Sequence, residues 1–346
     1  MRVTIKDVAR QANVSQATVS LVLNDAPGVS QATRLRVRGI MQELNYTPDA
    51  LARSFSSRRA KAVALVMPPW REFFADPYFT QIINGSLEAI RDRGYQLLLE
   101  VADERFTEQK LWQNLFSCKR IDGLMIATPQ LDQAYLQEIA AAHLPTLLIN
   151  GARPDLPALD YVGFDDFRAG VDATYYLIGL GHRRVAHLAG PSSHASGVRR
   201  QEGYREALNR ARIPIREEDI IEGDYRPDSA LLAMREWLCR PAAERPTAIF
   251  CANDTMALAA MRAAQEAGLN IPRDLSLIGV DDTGPAAESS PPLTTMRQDI
   301  YALARSAADH FLTKLETRTA IPVPLTERLP MELIERGSCG TYNFGF

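Results

Sequence analysis

Residues 14–37 read "VSQATVSLVLNDAPGVSQATRLRV", and the pentapeptide VSQAT occurs in this stretch twice, at 14–18 and at 29–33. In each copy a serine, Ser15 or Ser30, stands where a side-chain oxygen can take up the free N–H groups that begin a helix. Neither serine is followed three residues on by Glu or Gln, so neither makes a full capping box. The neighbours then diverge. Val14 can reach Val19, at the fourth helical position, as a hydrophobic staple. The equivalent of Val19 in the second copy is Arg34. The repeat reads as one helix-starting device used twice, not as a duplicated unit.

Working outward, Thr4 can cap a helix over 5–11, with Ile5, Val8, Ala9 and Ala12 on one stripe. A turn at Ala12-Asn13-Val14 leads to the helix begun by Ser15, which runs to about Asn24. "NDAPG" (24–28) is a loop, and Ser30 begins a third helix ending near Leu44. Helix, tight turn, helix, loop, helix is the order of a helix-turn-helix module. In the second helix Val19, Val22 and Leu23 should pack inward. The opposite stripe holds Gln16, Ala17, Ser20 and Leu21, mostly the small or polar residues that can enter a major groove. A small helical protein–protein module would show the same periodicity. Charge separates the head from the rest. Residues 1–61 hold ten Lys/Arg against four Asp/Glu, a net of +6, so the chain's −3 leaves −9 for the remainder. A basic head on an acidic body suits a polyanionic partner, although a solvated basic face would have the same balance.

The segment 47–61, "TPDALARSFSSRRAK", holds at most a two-turn helix begun by Thr47 and Pro48 before a polar linker. Beyond it the pattern changes. "AVALVM" (62–67), "QLLLEV" (96–101), "DGLMIA" (122–127) and "PTLLI" (145–149) read as buried parallel strands. Helical stretches near 78–93, 107–118 and 131–142 separate them. The alternation restarts with "RVAHLAG" (184–190), "TAIFCA" (247–252) and "LSLIGV" (275–280), with helices near 166–180, 197–212 and 253–267. Two βα series predict two doubly wound parallel-sheet lobes, with a ligand cleft where the strand ends face each other. Trp112 and Trp237 read as helix-face packing residues.

At this point the chain resembles a known family. "TIKDVARQANVSQATVSLVLNDAPGVSQATRLRVRGIMQELNYTPDALARS" is similar to the DNA-binding head and hinge of the LacI/GalR family of bacterial repressors. "GHRRVAHLAGP", "CANDTMALAA" and "DLSLIGVDD" fit that family's periplasmic-binding-protein-like core, so the likeness spans nearly the whole chain. It implies a helix-turn-helix domain at 1–46, a hinge at 47–61 and a core at 62–340. The core lobes would be 62–162 plus 293–325, and 163–292 plus 326–340. By the resemblance Gln16, Ala17 and Leu21 read operator bases. Thr4, Ser15, Thr18, Ser20 and Asn24 contact phosphates or hold the helices. Residues 48–56 would form a hinge helix on DNA, with Ala52 and Phe55 near the minor groove. Leu21 departs from the family, several of whose members place Arg or His there. A leucine packs on a thymine methyl but cannot hydrogen-bond guanine.

For the cleft, Arg200, Asn253 and Asp281 sit at strand ends or helix starts of the second lobe and are suited to polyhydroxylated ligands. Tyr78, Phe79 and Tyr225 could offer apolar faces to a ring. The resemblance places Arg200, Asn253 and Asp281 at positions that bind sugar hydroxyls, and Phe79 and Tyr225 at aromatic lining positions. It puts His194 and Ser196 at positions that vary with the effector, and Asn150 and Asp165 at the first lobe's rim. Each has a plain structural alternative: Arg200 pairing with an acid, Tyr225 buried in the core. "SSH" (192–194) could begin a Ser-His-Asp set, and Asp281-Asp282 a metal or glycosidase pair, but no coherent catalytic constellation assembles.

Neither cofactor nor metal is expected. Cys118, Cys239, Cys251 and Cys339 form no CxxC and read as reduced cytosolic residues. No apolar run reaches the ~18 residues of a membrane span, and "MRVTIKDVARQANV" has no signal-peptide pattern. "TYNFGF" at 341–346 continues no heptad, so a homodimer on a palindromic operator is expected. The expectation is a cytoplasmic, sugar-responsive DNA-binding repressor. An exported solute-binding protein and an α/β enzyme with a DNA-binding head stand as alternatives.

Overall fold

A computed structural model of the chain describes residues 3–23, 27–46, 59–69, 74–317 and 325–342. It falls into two units, Met1–Ala60 and Lys61–Phe346. In the first, helices α1 (Ile5–Gln11), α2 (Gln16–Leu23) and α3 (Gln31–Glu43) bury Val8, Ala9, Ala12, Val19, Val22 and Val37. Val14, Val29 and Leu23 pack against that cluster from its edge. Asn13 makes the tight turn between α1 and α2 at a φ of 51°, a left-handed conformation that asparagine tolerates better than most residues. Asn24, Ala52, Phe55 and the hinge helix expected at 48–56 lie outside the described residues.

The second unit contains two six-stranded sheets. The first has the order β11-β5-β4-β3-β1-β2 and is parallel throughout. Its elements run β1 (Ala62–Met67), α4 (Pro77–Asp92), β2 (Gln96–Val101), α5 (Glu104–Thr107), α6 (Leu111–Ser117), β3 (Gly123–Ala127), α7 (Tyr135–Ala141), β4 (Thr146–Ile149) and β5 (Asp160–Phe164). The chain then crosses to the second sheet, order β12-β10-β9-β8-β6-β7, in which only β12 is antiparallel to its neighbour. That sheet is built from α8 (Asp166–Gly179), β6 (Val185–Ala189), α9 (Ala195–Arg210), β7 (Ile220–Glu222), α10 (Pro227–Leu238), β8 (Ala248–Cys251), α11 (Asp254–Glu266), β9 (Ser276–Asp281), α12 (Gly284–Glu288) and β10 (Thr294–Arg297). Helix α13 (Ile300–Thr317) and β11 (Thr326–Leu329) return to the first sheet, and β12 (Glu332–Ile334) to the second.

The two doubly wound lobes expected from the alternation are the lobes that form. Strand β1 shows why. Val63, Leu65 and Met67 face a core shared with α4 and α13, while Ala64 and Val66 face the opposite core under α6 and α7. A strand covered on both faces needs an unbroken apolar run. "QLLLEV" differs: β2 is an edge strand, and none of its residues is fully buried. The expected helix at 107–118 divides into α5 and α6, with Lys110 at a left-handed φ of 55° before the second.

The lobe boundaries also shift. Strand β10, in the segment expected in the first lobe, pairs with β9 of the second. Strand β11, expected in the second, pairs with β5 of the first. These segments are short, and their membership rests on pairing with strands more than 100 residues away or after a crossover. Trp112 and Trp237 are buried packing residues as expected, and all four cysteines are free thiols.

His187, on β6, is wholly buried between the rings of Tyr204 and Phe250, at centroid distances of 5.0 and 4.7 Å. Its Nδ1 lies 2.8 Å from the Phe250 carbonyl, to which it donates in the tautomer this geometry requires. Burial pulls its pKa down to about 4. A histidine whose folded pKa is depressed stabilises the fold above its unfolded pKa of about 6.5, and that contribution is lost as pH falls toward 4. Lowering the pH from 7.5 to 4.5 is therefore expected to remove about 2–3 kcal/mol through this group. Asp254, pushed up to about 6 by burial, acts in the opposite sense, so wild type must be compared with His187→Phe in urea unfolding at both pH values. A loss of the same size in the variant would assign the effect to other groups.

Candidate functional site

In the first unit, the N-terminal turn of α2 presents Gln16 and Ala17 to solvent, and Leu21 one turn on is 38 % exposed. Val19 and Val22 anchor the opposite face. Ser15 holds the start of the helix: its Oγ accepts from the Thr18 N–H at 3.0 Å and shares a hydroxyl contact with Thr18 at 2.9 Å. Ser30 does the same for Thr33, at 3.3 and 2.9 Å. Thr4 is the N-cap of α1 in a different manner from the one expected. Its hydroxyl and its N–H both donate to Asp7 Oδ2, at 2.6 and 3.0 Å, because a carboxylate is the stronger acceptor within reach. The three-helix body thus exposes the N-terminal turn of α2 with an amide, a methyl and an aliphatic side chain, and that of α3 exposes Gln31, Ala32 and Leu35 likewise.

In the second unit a cavity of about 50 Å³ lies between the lobes. The first lobe supplies Asp76, Tyr78, Phe79, Thr128 and Asn150, and the second His194, Ser196, Arg200, Tyr225, Asn253, Thr255 and Asp281. Topology puts them there. Both sheets reverse strand order beside β1 or β6, and loops leaving the carboxyl ends of adjacent strands diverge at such a point. Helices α8 and α9 approach so closely that a Cβ on Gly203 would lie 2.2 Å from the Phe167 carbonyl oxygen, and one on Gly170 2.3 Å from that of Arg200. That contact brings Arg200 onto Asp166.

Arg200 is 3 % exposed. Its Nε and Nη2 donate to Asp166 Oδ1 at 2.9 and 2.8 Å, and its Nη1 to the Ala252 carbonyl at 2.5 Å. Burial is the largest influence and opposes its charge, but Asp166, Tyr225 and Asp281 together outweigh burial and keep it protonated. Asp281 accepts from Gln298 Nε2 at 2.6 Å. Its carboxyl is raised well above the usual range by burial, and further by Asp254. Asn150 donates to the Tyr78 hydroxyl at 2.6 Å and to Gln298 Oε1 at 3.4 Å, so Gln298 links the first-lobe wall to Asp281. Tyr225 shares a hydroxyl contact of 3.0 Å with Ser196 and meets the His194 ring edge-on at 5.8 Å; burial raises its phenol to about 12. Asn253 accepts from the Met256 N–H at 2.9 Å, capping α11, and donates to the Tyr225 carbonyl at 3.3 Å.

Left-handed backbone gathers around this cavity. Thr128, Asn150, Tyr225 and Asp281 have φ of 43°, 51°, 69° and 128°. For threonine and tyrosine this conformation is costly, and such positions gather at ligand sites. Across the mouth, Gln130 forms a β-bridge with His194, and the Leu131 N–H donates to the Ser193 carbonyl at 2.8 Å.

All the expected cleft residues except Asp165 line the cavity. Asp165 instead caps α8, accepting from the Arg168 N–H at 3.1 Å, and borders a neighbouring cavity. Its neighbour Asp166 turns inward to Arg200, since consecutive residues at a helix start point in different directions. The adjacent acids Asp281 and Asp282 also diverge. Asp282 leaves the cleft for Arg297, at 2.6 Å, and Arg336. Asp76, Thr128 and Thr255 go beyond the set singled out from the sequence. "DPYF" at 76–79 carried a signal for the first, an N-cap followed by proline at the first helical position.

Residues 4–49 match the family described as bacterial regulatory proteins, lacI family, and 174–339 match a periplasmic binding protein-like domain. The HTH-type transcriptional repressor PurR of Escherichia coli O139:H28 (strain E24377A / ETEC) is 34 % identical over 336 residues, covering 97 % of this chain and 96 % of PurR. The chain belongs to the LacI family. This LacI-family protein is similar throughout to the lac repressor dimer bound to operator and the anti-inducer ONPF, with TM-score 0.84, 30 % identity, and coverage of 98 % and 100 %. It is also similar to the transcriptional regulator CelR in complex with cellobiose, with TM-score 0.74, 32 % identity, and coverage of 97 % and 100 %. Like other members it is a DNA-binding regulator of transcription and not an enzyme. Among the described residues no helix is long and apolar enough to cross a membrane.

Proposed function

We propose that this LacI-family protein is a cytoplasmic repressor that binds a palindromic operator as a homodimer. Its hold on that operator changes when a small effector, a sugar or sugar derivative, occupies the cleft between the core lobes. The observation that carries the reading is the convergence, from both lobes, of Asp281, Arg200, Asn253 and Asn150 with Phe79 and Tyr225 on one cavity. Charged forks, amides and ring faces together are the chemistry that holds a polyhydroxylated ring. The cellobiose complex of CelR and the ONPF complex of the lac repressor are in keeping with it. In the head, Gln16, Ala17 and Leu21 read bases, Ser15, Thr18, Ser20 and Thr4 meet or position phosphates, and Asn24, Ala52 and Phe55 take the roles implied by the resemblance. The domains assigned are 1–46, 47–61 and 62–340.

Control requires only that the effector bind one arrangement of the lobes better than another. The lobes are joined by chain crossings after β5, β10 and β11, and Gln130 and His194 bridge them across the mouth of the cleft. A ligand touching both walls therefore has differential contacts with the two arrangements.

The test is binding of the full chain to a palindromic duplex from the vicinity of its own gene, with and without added sugars. Affinity should fall roughly 10³-fold or more between 50 and 200 mM salt, and a bound sugar should change it. Absence of salt-sensitive binding to any such duplex would overturn the reading in favour of a solute-binding protein without a DNA role.

A further inference from the structure

The charges around the cleft do not balance. Two carboxylates, Asp76 and Asp281, line it, and two more, Asp166 and Asp254, are buried directly behind its wall. Among the described lining residues the one guanidinium or ammonium is Arg200, and its charge is already matched by Asp166 at 2.8–2.9 Å. Asp254 has neutral partners, accepting from the Thr295 hydroxyl at 2.6 Å and the Thr283 N–H at 2.9 Å. Asp281 is bonded by the neutral amide of Gln298. Asp76 caps α4 with one oxygen, at 2.9 Å from the Tyr78 N–H. His194, lowered by burial, adds no compensating charge at neutral pH. Burial raises the carboxyls of Asp76, Asp254 and Asp281, and the Asp254 and Asp76 charges push Asp281 further up. A ligand entering here meets carboxyl groups with no unmatched cation among the described lining residues, in a partly enclosed space where screening is weak.

We propose that the cleft selects a neutral or amine-bearing polyol, and that Asp76 is a specificity-determining residue which bars phosphorylated and carboxylated analogues of the same ligand. The inference rests on the reading of the cleft as the effector site. Hydroxyl and ammonium groups donate to Asp281 and Asp76, whereas a phosphate or carboxylate can only accept and repels both. Asp76 is suited to the role because the cap consumes one of its oxygens and leaves its full charge at the wall. An asparagine would keep the cap and lose the charge, which makes the two functions separable.

The experiment uses the full chain and a matched set of probes: glucose, galactose, ribose and cellobiose, the corresponding sugar phosphates and sugar acids, glucosamine and galactosamine. Melting-temperature shifts identify binders, and calorimetry gives their Kd in wild type and in Asp76→Asn. Binders are expected among the neutral and amino sugars. The phosphate or acid of any binder should bind at least about tenfold more weakly, a gap of about 1.4 kcal/mol. Asp76→Asn should narrow that gap severalfold, read as the ratio of the anionic to the neutral Kd within each variant, so that any change in the neutral parent's own Kd cancels. An anionic probe that binds more tightly than its neutral parent overturns the inference while leaving the effector reading intact. An unchanged gap in Asp76→Asn overturns the role of Asp76, leaving it a helix cap only. If no probe of any charge shifts the melting temperature, the sugar-effector reading fails and takes the inference with it.

Discussion

Replacing Arg200 by alanine is expected to lower the stability of the core by about 3–5 kcal/mol and to abolish any response to effector. The change strands Asp166, which is 7 % exposed and receives both of its guanidinium bonds from Arg200. It also removes a donor from the Ala252 carbonyl at the end of β8. A buried carboxylate without its partner must take up a proton or draw in water, and either route costs free energy. Arg200→Lys should recover only part of the loss, because an ammonium cannot reproduce the fork that reaches Asp166 and Ala252 together. Asp166→Asn should be milder than Arg200→Ala, since an amide oxygen still accepts from the guanidinium. Urea unfolding followed by tryptophan fluorescence reads these differences through the buried Trp112 and Trp237. A loss under about 1 kcal/mol for Arg200→Ala would show that the pair contributes to the cleft surface and little to the fold.

Substituting Gln16 by alanine is expected to weaken operator binding about 10- to 100-fold and to relax the choice at one base pair, whereas Gln31→Ala should change affinity by no more than about threefold. One bidentate base contact is worth about 1–3 kcal/mol of discrimination. The two glutamines follow serines with the same cap geometry, so an effect on helix stability would be common to both variants. Their settings differ: α2 is backed by Val19, but the equivalent residue of α3 is Arg34. Leu21 sharpens the expectation. It exposes only carbon to a groove, so the operator position beneath it should not be read through guanine. Binding measured with each base pair at that position decides the matter. A strong guanine preference that vanishes in Leu21→Ala would refute the assignment, and equal losses for Gln16→Ala and Gln31→Ala would show that the repeat acts through capping alone.

The head was legible because its determinants are local. Ser15 and Ser30 cap the helices they precede, and Val8, Val19 and Val22 bury the stripe that helical spacing puts on one side. The parallel lobes were legible for a similar reason. A strand covered on both faces leaves an unbroken apolar run such as "AVALVM", and all six of its residues are buried. Local pattern failed where one residue's fate depends on a distant partner. "QLLLEV" has the composition of an interior strand and lies at an edge. Strands β10 and β11 each joined the lobe opposite to the one expected, because pairing with β9 and β5 determines which sheet they extend.

The cleft divides along the same line. Arg200, Asn253 and Asp281 could be named from the sequence because each lies beside a recognisable strand end or helix start. The sequence points to Asp165 where Asp166 carries the inward bond, because helix geometry separates two neighbours that composition treats alike. By itself the sequence determined the three-helix head, the exposed face of α2 and the alternation that makes two lobes, since these depend on capping and on periodicities of a few residues. Only the tertiary structure decided that Arg200 is paired with Asp166, that Gln298 ties Asn150 to Asp281, and that Asp76 lines the same cavity as Asp281. Those facts depend on distances across the fold, and the strength of an electrostatic interaction follows distance and burial, not order along the chain.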